Sequence, residues 1–403
     1  MMMSVQNSAD AGAATSGGNH GLQRAIIVGI IAFLTLIDLF ATQAILPTLT
    51  RHYGVSPADM ALAVNASTVG MAVASLAVAL LSRRINRRTG IVVSLSLLAL
   101  PTLLLANAPD LTIFTALRVV QGLLMATAFT LTLAYLGEEL SMEEAPRAFA
   151  AYITGNVASN LIGRLLSASL ADHFGLATNF YVFAGLNLLG AGLALLAIHP
   201  AMRLTGTEPL GQAVAAVRKH FSNPLTRSSF LIGFCILFVF IGTFSFVNFV
   251  LVRPPLSIGQ MSIGFVYLVF LPSIVTTPLA GKLVAQLGTR TSLLIGLGAA
   301  ALGQPLLLTG NLAAVLLGLS IIGVGTFFAQ ATATGLASRA ADGDKGAASG
   351  IYLACYFSGG LAGSAVLGQI FDRFGWTACV AAMTFVLTIA LWISFRLAPA
   401  AKQ

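Results

Sequence analysis

This chain has little charge. Only 8% of its 403 residues are Asp, Glu, Lys or Arg, and 57% are hydrophobic. An average soluble domain is about 25% charged, so the composition excludes an ordinary soluble globular protein and implies a polytopic membrane protein. Cysteine is scarce as well. Cys235, Cys355 and Cys379 all lie in apolar runs, with no CxxC and no Cys/His spacing. Neither a disulfide framework nor a metal is therefore expected. The five histidines (His20, His52, His173, His199 and His220) fall at or outside helix ends. That argues against a buried histidine proton relay. The Gly-rich stretch Ser358–Gly363 has no strand before it and no GKS/T after it, so it is not a phosphate cradle. Acid is rarest inside the apolar runs, where Asp38 stands alone among the residues of Ala25–Thr50.

What the chain does have is long apolar runs. About 20 apolar residues, rising ~1.5 Å each, cross the ~30 Å hydrocarbon core of a bilayer. Breaks at Gly, Pro and charge divide the sequence into twelve such spans. The first six cover 25–49, 58–81, 90–107, 111–136, 147–170 and 176–198. The last six cover 227–252, 260–281, 291–309, 313–337, 347–370 and 376–396. The implied organisation is a disordered tail at 1–24, a six-span half at 25–199, a linker at 200–226, a second half at 227–396 and a tail at 397–403. The late start of the first run, its Asp38 and its full spanning length make it a poor signal peptide. In the linker, Leu210, Val214, Val217 and Phe221 recur at helical spacing, which predicts an amphipathic surface helix. The net charge of +8 is scattered over short loops and does not suggest nucleic acid. With the N-terminus inside, sixteen Lys and Arg fall on the inner side, and only Arg51, Arg253 and Arg373 on the outer. That bias predicts two cytoplasmic termini.

The chain also repeats. Ala148, Tyr152, Gly163, Asp172, Phe174 and Gly175 match Ala348, Tyr352, Gly363, Asp372, Phe374 and Gly375, all at an offset of 200. The loop LLSRRINRRT after span two matches GKLVAQLGTRT after span eight. Two similar halves in one orientation form a parallel repeat of the transporter type.

With these features the chain resembles the major facilitator superfamily over nearly all of its length after residue 24. Arg118, Gln121, Gly122 and Ala126 match the family pattern R-x-x-Q-G-x-x-x-A, whose arginine the resemblance links to proton coupling. The loop after span two is similar to the family's G-x-x-x-D-R-x-G-R-R signature, but Arg83 replaces the aspartate and Asn86 the glycine. Arg84, Arg87 and Arg88 remain, and with Gly122 they are the candidate gating residues. Span five lacks the Gly-Pro pair common in drug/proton antiporters. Its GNVASNLIGRLLSASLAD, with YFSGGLAGSAVLGQIFDRFGW and NFVLVRPPLSIG, resembles the YnfM-like group of bacterial inner-membrane members. The resemblance implies an all-α fold of two pseudo-symmetric six-helix bundles, in a monomer without cofactors. It also implies proton-coupled export of a small organic solute as the function, with the solute and the lipid bilayer as partners.

Depth along the spans places three charges together. Asp38, Arg118 and Arg164 each lie eight to ten residues from the outer end of their span, roughly 12–15 Å deep. A charge in lipid is costly unless paired or hydrated. One reading is a static ion pair tethering helices. The other makes Asp38 the proton-titrating group, with Arg118 governing when it holds its proton and Arg164 favouring an anionic solute. Arg164 could equally snorkel or bond helix-end carbonyls. Gln43, Asn65, Asn156, Asn248 and Gln330 are the candidate solute contacts, each also able to bond a neighbouring helix. Thr42, Thr68, Asn160, Thr332 and Thr334 are secondary candidates. Phe240, Phe244, Phe246 and Phe249 either face lipid or wall an apolar solute. No nucleophile–base pair or metal spacing supports an enzyme. A sensor or scaffold of transporter ancestry is the remaining class.

Overall fold

The computed structural model describes residues 6–81, 85–139, 145–198, 217–341 and 345–397. Among the described residues there is no strand. Among the same residues, nine helical stretches are long and apolar enough to cross a membrane. Three of the nine carry a break: Ala145–Ala197 at Gly175, Ala280–Gly303 at Gly288 and Lys345–Phe395 at Gly375. Each break ends one span and starts the next, so the stretches hold the twelve expected spans. Gly175 and Gly375, 200 residues apart, have φ of 83° and 78°. That conformation is essentially restricted to glycine, which is why the D-x-F-G repeat ends in glycine both times.

The equivalent loops after spans two and eight turn differently. Gly288 turns the second with φ 79°. In the first, Asn86 has φ −61° and its side chain accepts a hydrogen bond from Thr89 N at 3.1 Å, capping the helix Arg87–Leu105. Asn in place of the family's glycine thus serves as a helix cap.

Span one is the end of a longer helix, Gln6–Ala44. Span two is two pieces, Pro57–Asn65 and Ser67–Leu81, joined at Ala66. Span eight alternates α and 3₁₀ turns: Gln260–Val266, Tyr267–Phe270, Leu271–Thr276 and Thr277–Leu279. Pro272 and Pro278 each remove a backbone donor there, which loosens the α ladder. Of the expected linker helix at 209–221, residues 209–216 lie outside the described residues. Residues 217–222 are helical, with Phe221 exposed and its ring 5.4 Å from Phe230.

Helix packing follows the repeat. Span one packs on span five and span seven on span eleven; span two meets span eleven, and span five meets span eight. The loops after the odd-numbered spans gather at one end. Tyr53 Oη donates there to Ala108 O, and Trp376 Nε1 to Leu307 O. We call it the Tyr53 end.

Candidate functional site

Two buried polar clusters meet on span one. Asp38 and Gln43 are five residues apart, and at ~100° per residue their side chains leave the helix about 140° apart. Asp38 turns toward spans three and six. Its Oδ2 accepts from Asn187 Nδ2 at 2.8 Å and from Thr102 Oγ1 at 3.3 Å. Thr102 Oγ1 in turn accepts from Gln121 Nε2 at 2.6 Å and Asn187 Nδ2 at 3.1 Å. Gln121 Oε1 accepts from Arg118 Nη1 at 2.7 Å. Arg118 also donates from Nε to Val64 O at 2.8 Å, from Nη2 to Ser67 Oγ at 3.2 Å and from Nη1 to Asp38 O at 3.3 Å.

The expected proximity of Asp38 and Arg118 is therefore present, but the contact differs. The guanidinium bonds the backbone carbonyl of Asp38 and reaches its carboxylate only through Gln121 and Thr102. Both side chains are buried, at 3% and 0% exposure. Direct pairing of buried charges is seldom a net gain unless their other bonds are satisfied. Here neutral amides and a hydroxyl satisfy them.

The second cluster crosses between the halves. Gln43 Nε2 donates to Asn65 Oδ1 at 2.7 Å. Asn65 Nδ2 lies 3.2 Å from Ser245 Oγ and 3.1 Å from Ser364 Oγ. Asn248 Nδ2 donates to Gln43 O at 2.9 Å, and Tyr267 Oη to Asn248 Oδ1 at 2.6 Å. Arg164 Nη2 donates to Gln43 Oε1 at 2.5 Å and Nη1 to Phe244 O at 3.3 Å. Its guanidinium carbon lies 4.5 Å from the Tyr267 ring centre and 5.5–6.0 Å from those of Phe40, Phe240, Phe244 and Phe270. All five are within cation–π range.

Four of the six proposed solute contacts, Gln43, Asn65, Arg164 and Asn248, thus come together. Asn156 lies farther along span five, buried with Oδ1 unpartnered. Gln330 stands apart, half-buried, and engages Thr334 through its backbone carbonyl. The single charged layer divides in two: Arg164 joins Gln43, ~7.5 Å along span one from Asp38. Depth counting ignores the direction in which a side chain leaves its helix. Phe240, Phe244, Phe246 and Phe249 are all buried, so the lipid-facing reading of span seven is overturned. Two of them cage Arg164.

The gating candidates lie within the first half. Arg88 Nη2 donates to Leu195 O at 2.7 Å and Arg87 Nη1 to Ile85 O at 3.2 Å. Gly122 faces Ser67 of span two. Arg84 lies outside the described residues. Sequence reasoning missed Thr102, Asn187 and Tyr267. A lone Asn in the apolar run FAGLNLLGAG was a readable signal, since isolated polar groups in a span need a partner.

A twelve-span helical fold with buried polar clusters inside and between two halves defines a membrane solute transporter. The family model of the Major Facilitator Superfamily matches residues 28–270 and 254–403, and the chain belongs to that superfamily. It is 27% identical over 374 residues to the uncharacterized MFS-type transporter YybF of Bacillus subtilis, with 92% of each chain covered. It is 26% identical to the inner membrane transport protein YnfM of Escherichia coli, covering 90% of this chain and 87% of that one. It is 24% identical to the multidrug resistance protein Stp of Mycobacterium tuberculosis, covering 86% and 75%. Among solved structures, a bacterial homolog of the human lysosomal transporter Spinster superposes with a TM-score of 0.70 at 14% identity, covering 93% and 96%.

Proposed function

We propose that the chain is a secondary active transporter of the bacterial inner membrane. It moves a small organic solute by alternating access, exporting it in exchange for protons that bind at Asp38. The observation that carries this reading is the double face of span one. One face holds the embedded carboxylate; the other is bonded across to the second half. A change of protonation on the first face and a change of contacts on the second then bias one moving element, which is what coupling requires. The similarity to Stp, whose name is that of a drug-resistance protein, favours export. Uptake of an organic anion is the second reading, favoured by the charge of Arg164.

The Lys and Arg distribution supports a topology with the Tyr53 end outside and both termini in the cytoplasm. Ser222 and Ser257 are both exposed, and cysteines placed there should label from opposite sides of the membrane. Cys235 and Cys379 are buried and should not contribute. Same-side labelling would refute the topology.

Spans two and eleven meet at both ends, Gly350 against Ala79 at one and Gly368 against Ala58 at the Tyr53 end, so opening the Tyr53 end must break the second contact. A Cβ built at Gly368 of span eleven lies 3.1 Å from Ala58 Cβ of span two, near disulfide separation. The double variant Ala58→Cys, Gly368→Cys, oxidised in proteoliposomes, should hold that end shut and stop solute flux, and reductant should restore it. Undiminished flux through the cross-linked protein would rule out alternating access at this interface.

A further inference from the structure

Arg164 is fully buried, and its contacts are all with neutral groups. Two separate oxygens, Gln43 Oε1 and Phe244 O, occupy Nη2 and Nη1, while Nε has no partner. A planar guanidinium fork matches the paired oxygens of one carboxylate better than two unrelated neutral acceptors. The other embedded charge of opposite sign, Asp38, is turned away toward Asn187 and Thr102.

The surroundings of Arg164 point the same way. Asn160 precedes it by four residues, on the same helix face. It is fully buried, and neither end of its amide has a partner. Ser167 Oγ, on that face beyond Arg164, is also buried and unpartnered. Span eight packs against this helix and brings Tyr267 and Phe270 onto the guanidinium. Buried polar groups are normally hydrogen-bonded, and each exception calls for an explanation. Asn160 and Ser167, on the helix face that carries the caged cation, are explained by a solute that supplies the missing partners in another step of the cycle. The ring faces around the guanidinium are electron-rich. They repel an anion face-on and accept an apolar body, so the carboxylate is directed to the N–H edges.

We infer that Arg164 recognises the carboxylate of a monoanionic organic solute with a flat apolar body, an aryl carboxylate being the best fit. The carboxylate oxygens take the place of Gln43 Oε1 and Phe244 O, the body lies against the rings, and Asn160 meets a polar substituent. One guanidinium argues for one negative charge, and it excludes a cationic solute. This assignment rests on the transport reading above and names its substrate class.

The test is binding to the purified full-length protein in detergent, by calorimetry and ligand-induced thermal shift. The probes are benzoate and 2-naphthoate, with benzamide, benzylammonium and acetate as controls. The aryl carboxylates should bind and the neutral and cationic analogues should not; acetate should bind more weakly than benzoate. Arg164→Gln should weaken benzoate by about tenfold or more. Should that variant not fold, Gln43→Leu provides the second readout. Removing the competing oxygen should tighten benzoate binding, an effect that a purely structural role would not produce. The inference is overturned if neither aryl carboxylate binds, if benzamide matches benzoate, or if Gln43→Leu leaves the affinity unchanged. Binding needs no gradient, so the two readings can fail separately. Benzoate binding without solute flux would sink the transport reading and keep the site, and flux without benzoate binding would do the reverse.

Discussion

Asp38→Asn is expected to bring pH-gradient-driven accumulation of solute down to the level of empty liposomes, while exchange of solute at equal pH persists. The substitution keeps the shape of the side chain and removes its ability to change charge. The site can hold either form. An ionised Asp38 accepts from Asn187 Nδ2 and Thr102 Oγ1. A protonated carboxyl needs an acceptor for its O–H, and Asn187, whose Nδ2 now faces Asp38 and whose Oδ1 is buried without a partner, supplies one when its amide turns over. The introduced amide can use that same acceptor, so the variant should fold and mimic the protonated state. Thr102 contributes a second distinction. Its hydroxyl has one proton and lies within reach of two acceptors, Asp38 Oδ2 and, at 2.9 Å, Leu98 O. Protonation of Asp38 frees that hydroxyl for Leu98, which passes the change to span three. The measurement is flux in proteoliposomes under an imposed pH gradient. Accumulation at the wild-type rate would remove Asp38 from the coupling role and leave it as a tether of spans one, three, four and six.

Much of the fold was legible in the sequence. The twelve spans follow from apolar length, and the repeat follows from the D-x-F-G pairs, whose glycines supply the two equivalent breaks. The facing of the polar residues was much less legible. Length and depth place Asp38, Arg118 and Arg164 at similar levels, but neither gives the azimuth of a side chain. That is why Asp38 and Arg164 fall in separate clusters. The cage around Arg164 draws Phe40 from span one, Phe240 and Phe244 from span seven, and Tyr267 and Phe270 from span eight. No local pattern links them, because only tertiary packing brings three separate spans onto one guanidinium. Thr102 and Asn187 were passed over for a related reason. Each is a single polar residue in an apolar run, and its partner lies 64 or 149 residues away. The span-four motif was legible as a pattern, while the reason for its spacing is visible only in three dimensions.

That reason yields the prediction with the largest effect on the folded state. Gly122→Ala should cost the protein most of its folded yield, and any protein recovered should melt well below wild type. A Cβ at position 122 would lie 1.8 Å from Ser67 O and 2.6 Å from Ser67 C, both backbone atoms of span two. The crossing is reciprocal, since a Cβ at Gly70 would lie 2.0 Å from Val119 O. Backbone cannot rotate aside as a side chain can, so the helices must separate. Overpacking of this kind costs about 1–3 kcal/mol and occasionally more, and close helix approach is a main source of cohesion in membrane bundles. Separation has a further consequence. Arg118 is one turn from Gly122, and two of its acceptors, Val64 O and Ser67 Oγ, belong to span two. Moving span two outward would strip a fully buried guanidinium of half its partners, a loss far costlier than the methyl group itself. The motif spacing therefore couples the arginine to the glycine: Gly122 brings the backbone of span two within reach of Arg118. Gly192→Ala is the matched control, because nothing lies within 4 Å of a Cβ there. It should melt at or slightly above wild type, as alanine favours the helix by about 1 kcal/mol. Fluorescence-detected size exclusion after a temperature series compares the two. If Gly122→Ala runs and melts like Gly192→Ala, the tight crossing of spans two and four is not what holds Arg118 in place.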